Sequence, residues 1–274
     1  MSLNCCYVRN IIFSYNGTAQ ELHRKHLRMS YEDLPKRSIF SPNYLSRGLL
    51  EKALQRQLKT IHLSSATSIV LDLGSGSRQY EKLFTQTRYL AYDISLQSSP
   101  DVIGVGEALP FVSGSVDLII CIQVLEHVNN PAQVISEISR ILKPGGIVIL
   151  TTHGTMFYHP HPNDYWRWTQ TGLHKIFLDN GDFETIHLEA VQGSFSTIGF
   201  LAATYLAWFG RKASDMLGPL GGIGRFLFGM LVAGVNLFSL FLDRVFVSMR
   251  KIDRPMTIFG VFLVRATRRA SKLL

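Results

Sequence analysis

Val70-Leu-Asp-Leu-Gly-Ser-Gly-Ser-Arg-Gln-Tyr80 joins a short apolar run, opening at Ser68 and rich in β-branched residues, to a Gly-x-Gly turn. That succession predicts a buried parallel strand passing into a tight turn. Gly74 and Gly76 permit backbone angles that other residues resist and let a ligand approach the main chain. A helix is expected to start near Arg78, its free N–H groups facing the ligand. A dinucleotide fold needs a third Gly three residues after the second, and position 79 is Gln. Asp72, on the strand itself, suits a cationic group and repels phosphate, so the expected ligand is a nucleoside with a positively charged tail.

The 274 residues can bury a sizeable core and fit one domain with elaborations. Lys and Arg total 28 against 20 acids, a net charge of +8. The basic residues are scattered in loose clusters, which favours an anionic surface such as a membrane face. No basic run is interleaved with aromatics in a nucleic-acid module, so no nucleic-acid partner is expected. The three cysteines, Cys5, Cys6 and Cys121, cannot make a disulfide framework, which points to a reducing, cytoplasmic setting. No signal-peptide succession opens the chain, and Asn16-Gly-Thr is read as a chance sequon.

Residues 1–36 are polar and basic and form an N-terminal arm. Apolar residues from Leu45 to Leu58 recur at helical spacing after Ser41-Pro-Asn, predicting a helix from Tyr44 to Leu58. Tyr80 to Thr85 is assigned a helix, and Tyr89-Leu-Ala-Tyr-Asp-Ile-Ser a second strand. Asp93, at its carboxyl end, falls where a nucleotide-binding sheet places its ribose carboxylate. A third strand starts at Asp101 and a fourth at Ser115, the latter running into Gln123-Val-Leu-Glu-His-Val. An amphipathic helix covers Pro131 to Leu142, Lys143-Pro-Gly-Gly stops it, and Ile147 to Thr152 is the fifth strand. Strands alternating with helices at this rhythm mean a parallel sheet covered on both faces.

The set Leu-Asp-Leu-Gly-Ser-Gly, Asp93, Glu-Ala-Leu-Pro-Phe, Val-Asp-Leu-Ile, Leu-Glu-His-Val and Arg140-Ile-Leu-Lys-Pro-Gly-Gly resembles the class I S-adenosylmethionine-dependent methyltransferases. The resemblance runs from about Leu49 to Gly181 and returns near Thr257 to Arg265. It implies a Rossmann-like α/β fold, with a seven-stranded, mostly parallel sheet, and S-adenosyl-L-methionine as cofactor. Asp72, Gly74, Ser75 and Gly76 match the motif that holds the methionine part. Asp93 matches the ribose ligand, with Ile94 packing on the adenine, and Gly106, Glu107 and Ala108 match the turn beside the adenine amine. Gln123 matches the segment that closes over the methyl donor. Many relatives have Asp where Val105 stands, so the adenine hydrogen bond is either missing here or supplied by Glu107.

Methyl transfer from a sulfonium asks the protein to align acceptor, methyl and sulfur, and an alcohol acceptor adds the need for a general base. His127 follows strand four, His153 follows strand five, and His159-Pro-His161-Pro-Asn-Asp164-Tyr-Trp-Arg167-Trp-Thr lies in the next loop. All these places are at the carboxyl ends of strands, where open α/β sheets bind ligands. His127, His153 and His161 are the candidate bases and Asp164 a candidate catalytic acid. The block resembles a subset of the family associated with glycan or lipid-linked sugar pathways, and its aromatics suit a polyhydroxylated acceptor. The competing expectation is that Asp164 and Arg167 pair to pin the loop while Thr169 or Thr171 caps the next helix. No metal site is expected, because no Cys or third ligand accompanies His159 and His161.

Between strand six, Thr185 to Ala190, and strand seven, Thr257 to Arg265, lies an apolar insertion at 195–254. It divides the methyltransferase domain into 37–194 and 255–274. Its runs Ile198 to Phe209 and Phe226 to Leu242 hold 12 and 17 residues, too short and marginal for crossing a bilayer. Spanning would also carry Arg211, Lys212 and Arg225 to the far side, against the positive-inside tendency. Three roles remain open: peripheral contact with the cytoplasmic membrane face, a lid, or a homodimer face. The expected function is methylation of a small or lipid-linked acceptor, a sugar hydroxyl. The alternative is a non-catalytic cofactor-binding or membrane-associated scaffold of the same fold.

Overall fold

The computed structural model describes residues 7–8, 38–63, 67–160, 163–218, 221–246 and 257–270, the first pair as backbone only. In chain order the strands are β1 Tyr7–Val8, β2 Ile69–Leu73, β3 Arg88–Asp93, β4 Val102–Ile103, β5 Val116–Ile122, β6 Leu142–His153, β7 Phe183–Ala190 and β8 Val261–Arg268. The helices are α1 Tyr44–Leu58, α2 Pro131–Ile141, α3 Gln170–Asn180, α4 Ser194–Met216 and α5 Gly221–Val245.

The strands form one sheet in the order β1-β4-β3-β2-β5-β6-β8-β7. β4 through β6 are parallel, and β8 runs antiparallel between β6 and β7. This is the expected seven-stranded, mostly parallel sheet. β1 is an addition: a piece of the N-terminal arm pairs antiparallel on the β4 edge. From β2 the chain builds outward through β3 and β4, then returns to build β5 and β6 on the other side. The crevice beyond the carboxyl ends of β2 and β5 is therefore the topological switch point, where such sheets bind ligands.

Alternation along the strands divides the core. Leu71, Leu73, Ile119 and Cys121 face α2 and α3, while Val70, Leu118, Ile120 and Ile122 face α1. α2 starts at Pro131 behind Asn130, whose side chain accepts from the Gln133 N–H at 3.2 Å. It buries Val134, Ile135, Ile138 and Ile141, each worth about 1.5–3 kcal/mol of transfer free energy.

One expected element is corrected. The segment after the glycine turn is no α-helix, and only a single 3-10 turn forms at Glu81–Leu83. Arg78 sits at φ 59° between Gly76 at 47° and the next turn, a left-handed conformation from which a helix cannot start. Its guanidinium is held by Glu81 at 2.8 Å and Asp101 at 2.9 Å.

Candidate active site

The glycine turn is built by two different demands. Gly74 has φ 76°, and a Cβ there would lie 2.2 Å from Val124 Cγ2, so the turn after β2 is clamped against the loop after β5. Gly76, at φ 47°, has nothing within 4 Å of where a Cβ would be. Gly74 serves packing, and Gly76 leaves its surface open to a ligand. The Gly76 N–H donates to Asp93 Oδ2 and the Ser95 N–H to Oδ1, both at 2.8 Å. Asp93 thus fixes the glycine turn to the end of β3, and each carboxylate oxygen keeps a further lone pair to accept with. Beside it, Ile94 is 63% exposed, an apolar side chain left in solvent next to the crevice. Ser75 is buried in the same turn.

Asp72 is buried on the α1 side and accepts a hydrogen bond from the Tyr89 hydroxyl. Burial pushes its carboxyl up to about 7, against the lowering effect of Tyr89. A cation brought beside it would restore its charge.

The turn beyond β4 is held by its own atoms: Tyr92 Oη donates to the Val105 carbonyl at 2.9 Å, and the Ala108 N–H to the same carbonyl at 3.2 Å. Gly106 approaches Val134 of α2. Glu107 Oε1 accepts from the Asn129 and Asn130 N–H groups at 3.0 and 3.2 Å, linking this turn to the start of α2. Gln123 closes the crevice from β5 at φ 58°, its amide donating to Thr151 Oγ1 at 3.0 Å. A non-glycine residue held there carries backbone strain of the kind concentrated at functional sites.

A second constellation lies at the ends of β5 and β6. Glu126 is fully buried and Oε2 accepts from Thr152 Oγ1 at 2.9 Å, while Oε1 stands 3.2 Å from His153 Nδ1. Burial raises the Glu126 carboxyl to about 7 and lowers the His153 imidazole to about 3, so both favour their neutral forms. His159 stacks on His153 with centroids 4.7 Å apart and planes within 16°, and His127 meets His159 edge-on at 5.0 Å. His127 Nδ1 is 2.5 Å from the Asn163 carbonyl, which can only accept. In neutral His127 the proton is therefore on Nδ1 and the lone pair on Nε2.

The loop that brings His159 to this cluster is rigidly strapped. The Tyr165 N–H donates to the Glu126 carbonyl at 2.8 Å, and the Trp168 N–H to the His153 carbonyl at 2.9 Å. Asp164 takes Arg167 at 2.5 and 2.6 Å, and the same guanidinium donates to the Phe157 carbonyl at 2.6 Å. Arg167 holds the Asp164 carboxyl well below the usual carboxylate range. Thr169, not Thr171, caps α3, accepting from the Gly172 N–H at 3.1 Å. The geometry thus uses Asp164 as a loop clasp. His161 lies outside the described residues.

Sequence reasoning assigned no role at the site to Glu126 or His159. The Leu-Glu-His motif carried Glu126 in plain view, but its burial comes only from β6 and the loop closing over it. Glu126, His153 and His159 bring one ligand-capable atom each within 4.8 Å of one another. Because the two rings stack, an ion in the plane of one lies outside the plane of the other, and joint ligation requires a ring to turn.

Comparison with known proteins agrees with this architecture. A family model described as a methyltransferase domain matches residues 42–189. An uncharacterized methyltransferase of Mycolicibacterium paratuberculosis is 31% identical over 102 residues, 32% of this chain and 40% of that one. A ubiquinone biosynthesis O-methyltransferase of Methylococcus capsulatus is 27% identical over 126 residues, 37% of this chain and 52% of that one. The chain thus spans about two-fifths to one-half of these relatives. Among solved structures, the [4+2]-cyclase SpnF aligns with a TM-score of 0.50 at 18% identity, covering 80% of each chain. A Haemonchus contortus phosphoethanolamine N-methyltransferase 2 in complex with S-adenosyl-L-methionine aligns at 0.50 and 14% identity, over 88% of this chain and 60% of that one. These two likenesses show the fold alone. With the ligand crevice of such sheets at the β2/β5 switch point, the chain belongs to the methyltransferase-domain family.

Proposed function

We propose that this protein methylates an oxygen on a small or lipid-linked acceptor, with a sugar hydroxyl as the acceptor group. The observation that carries the proposal is the histidine-lined wall at the carboxyl ends of β5 and β6, adjoining the Gln123 edge of the cofactor crevice. An amine needs only to arrive neutral, whereas a hydroxyl has to lose its proton as the new bond forms. When bound, the cofactor supplies an electrophilic methyl on a sulfonium that leaves as a neutral thioether. The crevice residues hold it in line, and His127 takes the hydroxyl proton on Nε2 while Asn163 holds its Nδ1–H. Tyr158, Tyr165 and Trp166 are exposed on the same loop and offer faces for a sugar ring. One relative carries the name of an O-methyltransferase, in keeping with an oxygen acceptor.

The lipid-linked form of the acceptor is supported by what the loop touches. Phe157 packs on Phe200 and Tyr205 of α4, with centroids 6.0 and 5.3 Å apart, so the apolar hairpin borders the acceptor loop. The test is incubation with methyl-labelled S-adenosylmethionine and a panel of free and lipid-linked saccharides. The expected product is a methyl ether, with turnover lost in His127→Ala and cofactor affinity kept. Cofactor binding without transfer to any hydroxyl acceptor would favour a non-catalytic scaffold.

A further inference from the structure

The α4–α5 hairpin is inverted relative to a soluble helical pair. The residues it buries are small or polar: Ser194, Ser196, Thr197, Gly199, Ala203, Gly210 and Ser214 on α4, with Gly221, Gly224, Ala233, Asn236, Ser239 and Asp243 on α5. Phe200 and Val232 are the large exceptions. A Cβ on Gly199 would lie 1.9 Å from Ser239 Oγ, and one on Gly210 would lie 2.6 Å from Phe228 Cβ. The helices therefore pack too closely at these positions for any residue larger than Gly, and Asp243 ties them by accepting from the Phe195 and Ser196 N–H groups, each at 3.2 Å. Close contact through small residues, with polar groups as glue, is how helices associate where the surroundings are themselves apolar.

The outward face is the reverse. Trp208, Phe209, Phe226, Leu227, Phe238 and Phe241 are all exposed, most by more than half of their surface. Arg211, Lys212, Arg225 and Arg244 are exposed on the same hairpin and have no ion-pair partner among the described residues, with Asp215 as the single exposed acid. From these features we infer that the hairpin docks on an anionic lipid surface, its axis in the membrane plane, with the large apolar side chains in the interface and the basic residues at the headgroups.

Length alone would let α5 cross a bilayer, since it has 25 residues and holds an 18-residue stretch with a mean hydropathy of 1.9. Its attachments forbid that. Gly229 lies against Phe40, and Asn236 Nδ2 donates to the Ile39 and Ser41 carbonyls at 2.6 and 3.0 Å. Asp243 anchors the last turn. From Gly229 to Asn236 α5 is thus held along the segment that leads into α1, and its other side faces outward. A second copy of the chain would cover that face too, but it would set the unpaired arginines of one hairpin against those of another.

The test is co-sedimentation of the full chain with vesicles of phosphatidylcholine alone and of phosphatidylcholine mixed with phosphatidylglycerol, at low and high salt. Binding is expected to the anionic vesicles and to weaken with salt. It should fall about tenfold or more in Phe238→Ser/Phe241→Ser and in Arg211→Gln/Arg225→Gln. Both pairs alter exposed side chains, so circular dichroism and calorimetric binding of S-adenosylmethionine without vesicles should match the parent. That second readout reports on the cofactor crevice alone, which keeps failure of docking distinct from failure of the proposed function. Absence of vesicle binding by the folded chain, or binding that neither pair reduces, would overturn the inference. So would a dimer that Phe238→Ser/Phe241→Ser dissociates while the parent ignores vesicles.

Discussion

Asp72 and the two turn glycines are where single residues decide binding. Asp72, held largely neutral by burial up to about pH 7, has to ionise to pair with a cationic ligand tail. Pairing lowers its proton affinity, so binding releases a proton below pH 7 and none well above it. Affinity for S-adenosylmethionine should therefore weaken as pH falls from 8 to 6, approaching a tenfold loss per unit below the carboxyl's midpoint. Calorimetry across that range checks this, and a flat profile would remove Asp72 from the cation's contacts. Asp72→Asn should abolish the dependence and bind weakly throughout. Gly74→Ala meets both a positive φ and Val124, so urea denaturation should show a loss of about 2 kcal/mol or more. Gly76→Ala meets only the φ restriction and should cost about 1 kcal/mol, its larger effect falling on cofactor affinity. Gly-x-Gly was legible in the sequence, but the division of labour between its two glycines was not, because Val124 is 50 positions away along the chain.

The loop from Thr155 to Thr169 and the hairpin are the elements on which acceptor chemistry turns. Arg167→Ala takes the guanidinium from Asp164 and the Phe157 carbonyl together and leaves Asp164 the His159 N–H, so the loop should become cleavable by protease at concentrations that leave the parent intact. Unchanged resistance would mean that the backbone ties to Glu126 and His153 suffice. In the hairpin, Gly199→Leu forces the helices apart at Ser239, and far-UV helicity or thermal stability should drop accordingly. Helix α1 was readable to its exact ends, since periodicity and the Ser41-Pro-Asn start agree. The segment after the glycine turn misled for a physical reason: its composition permits a helix, but Arg78 is drawn to Asp101 across the sheet and takes a left-handed conformation. Apolar runs announced the hairpin, yet which face points outward depends on contacts with Phe40 and Ser41 that periodicity cannot reveal.

At the scale of the whole molecule, a mostly parallel sheet has a crevice at its switch point and a histidine wall at the ends of β5 and β6, and an inverted helical pair borders the loop that carries His159. The mostly parallel sheet was legible because strands alternate with helices, whereas the strand order and the antiparallel place of β8 lie in pairings that only the folded chain shows. Glu126 and His159 escaped because their meaning is burial and stacking, properties of the folded chain. The most direct test of the central claim is calorimetric titration of the full chain with S-adenosylmethionine, beside Asp93→Ala. The expected result is one micromolar site, weakened at least about tenfold in the variant through loss of the ribose ligand and of the Gly76 tether. No binding by the parent, or equal binding by both proteins, would contradict the assignment of the crevice.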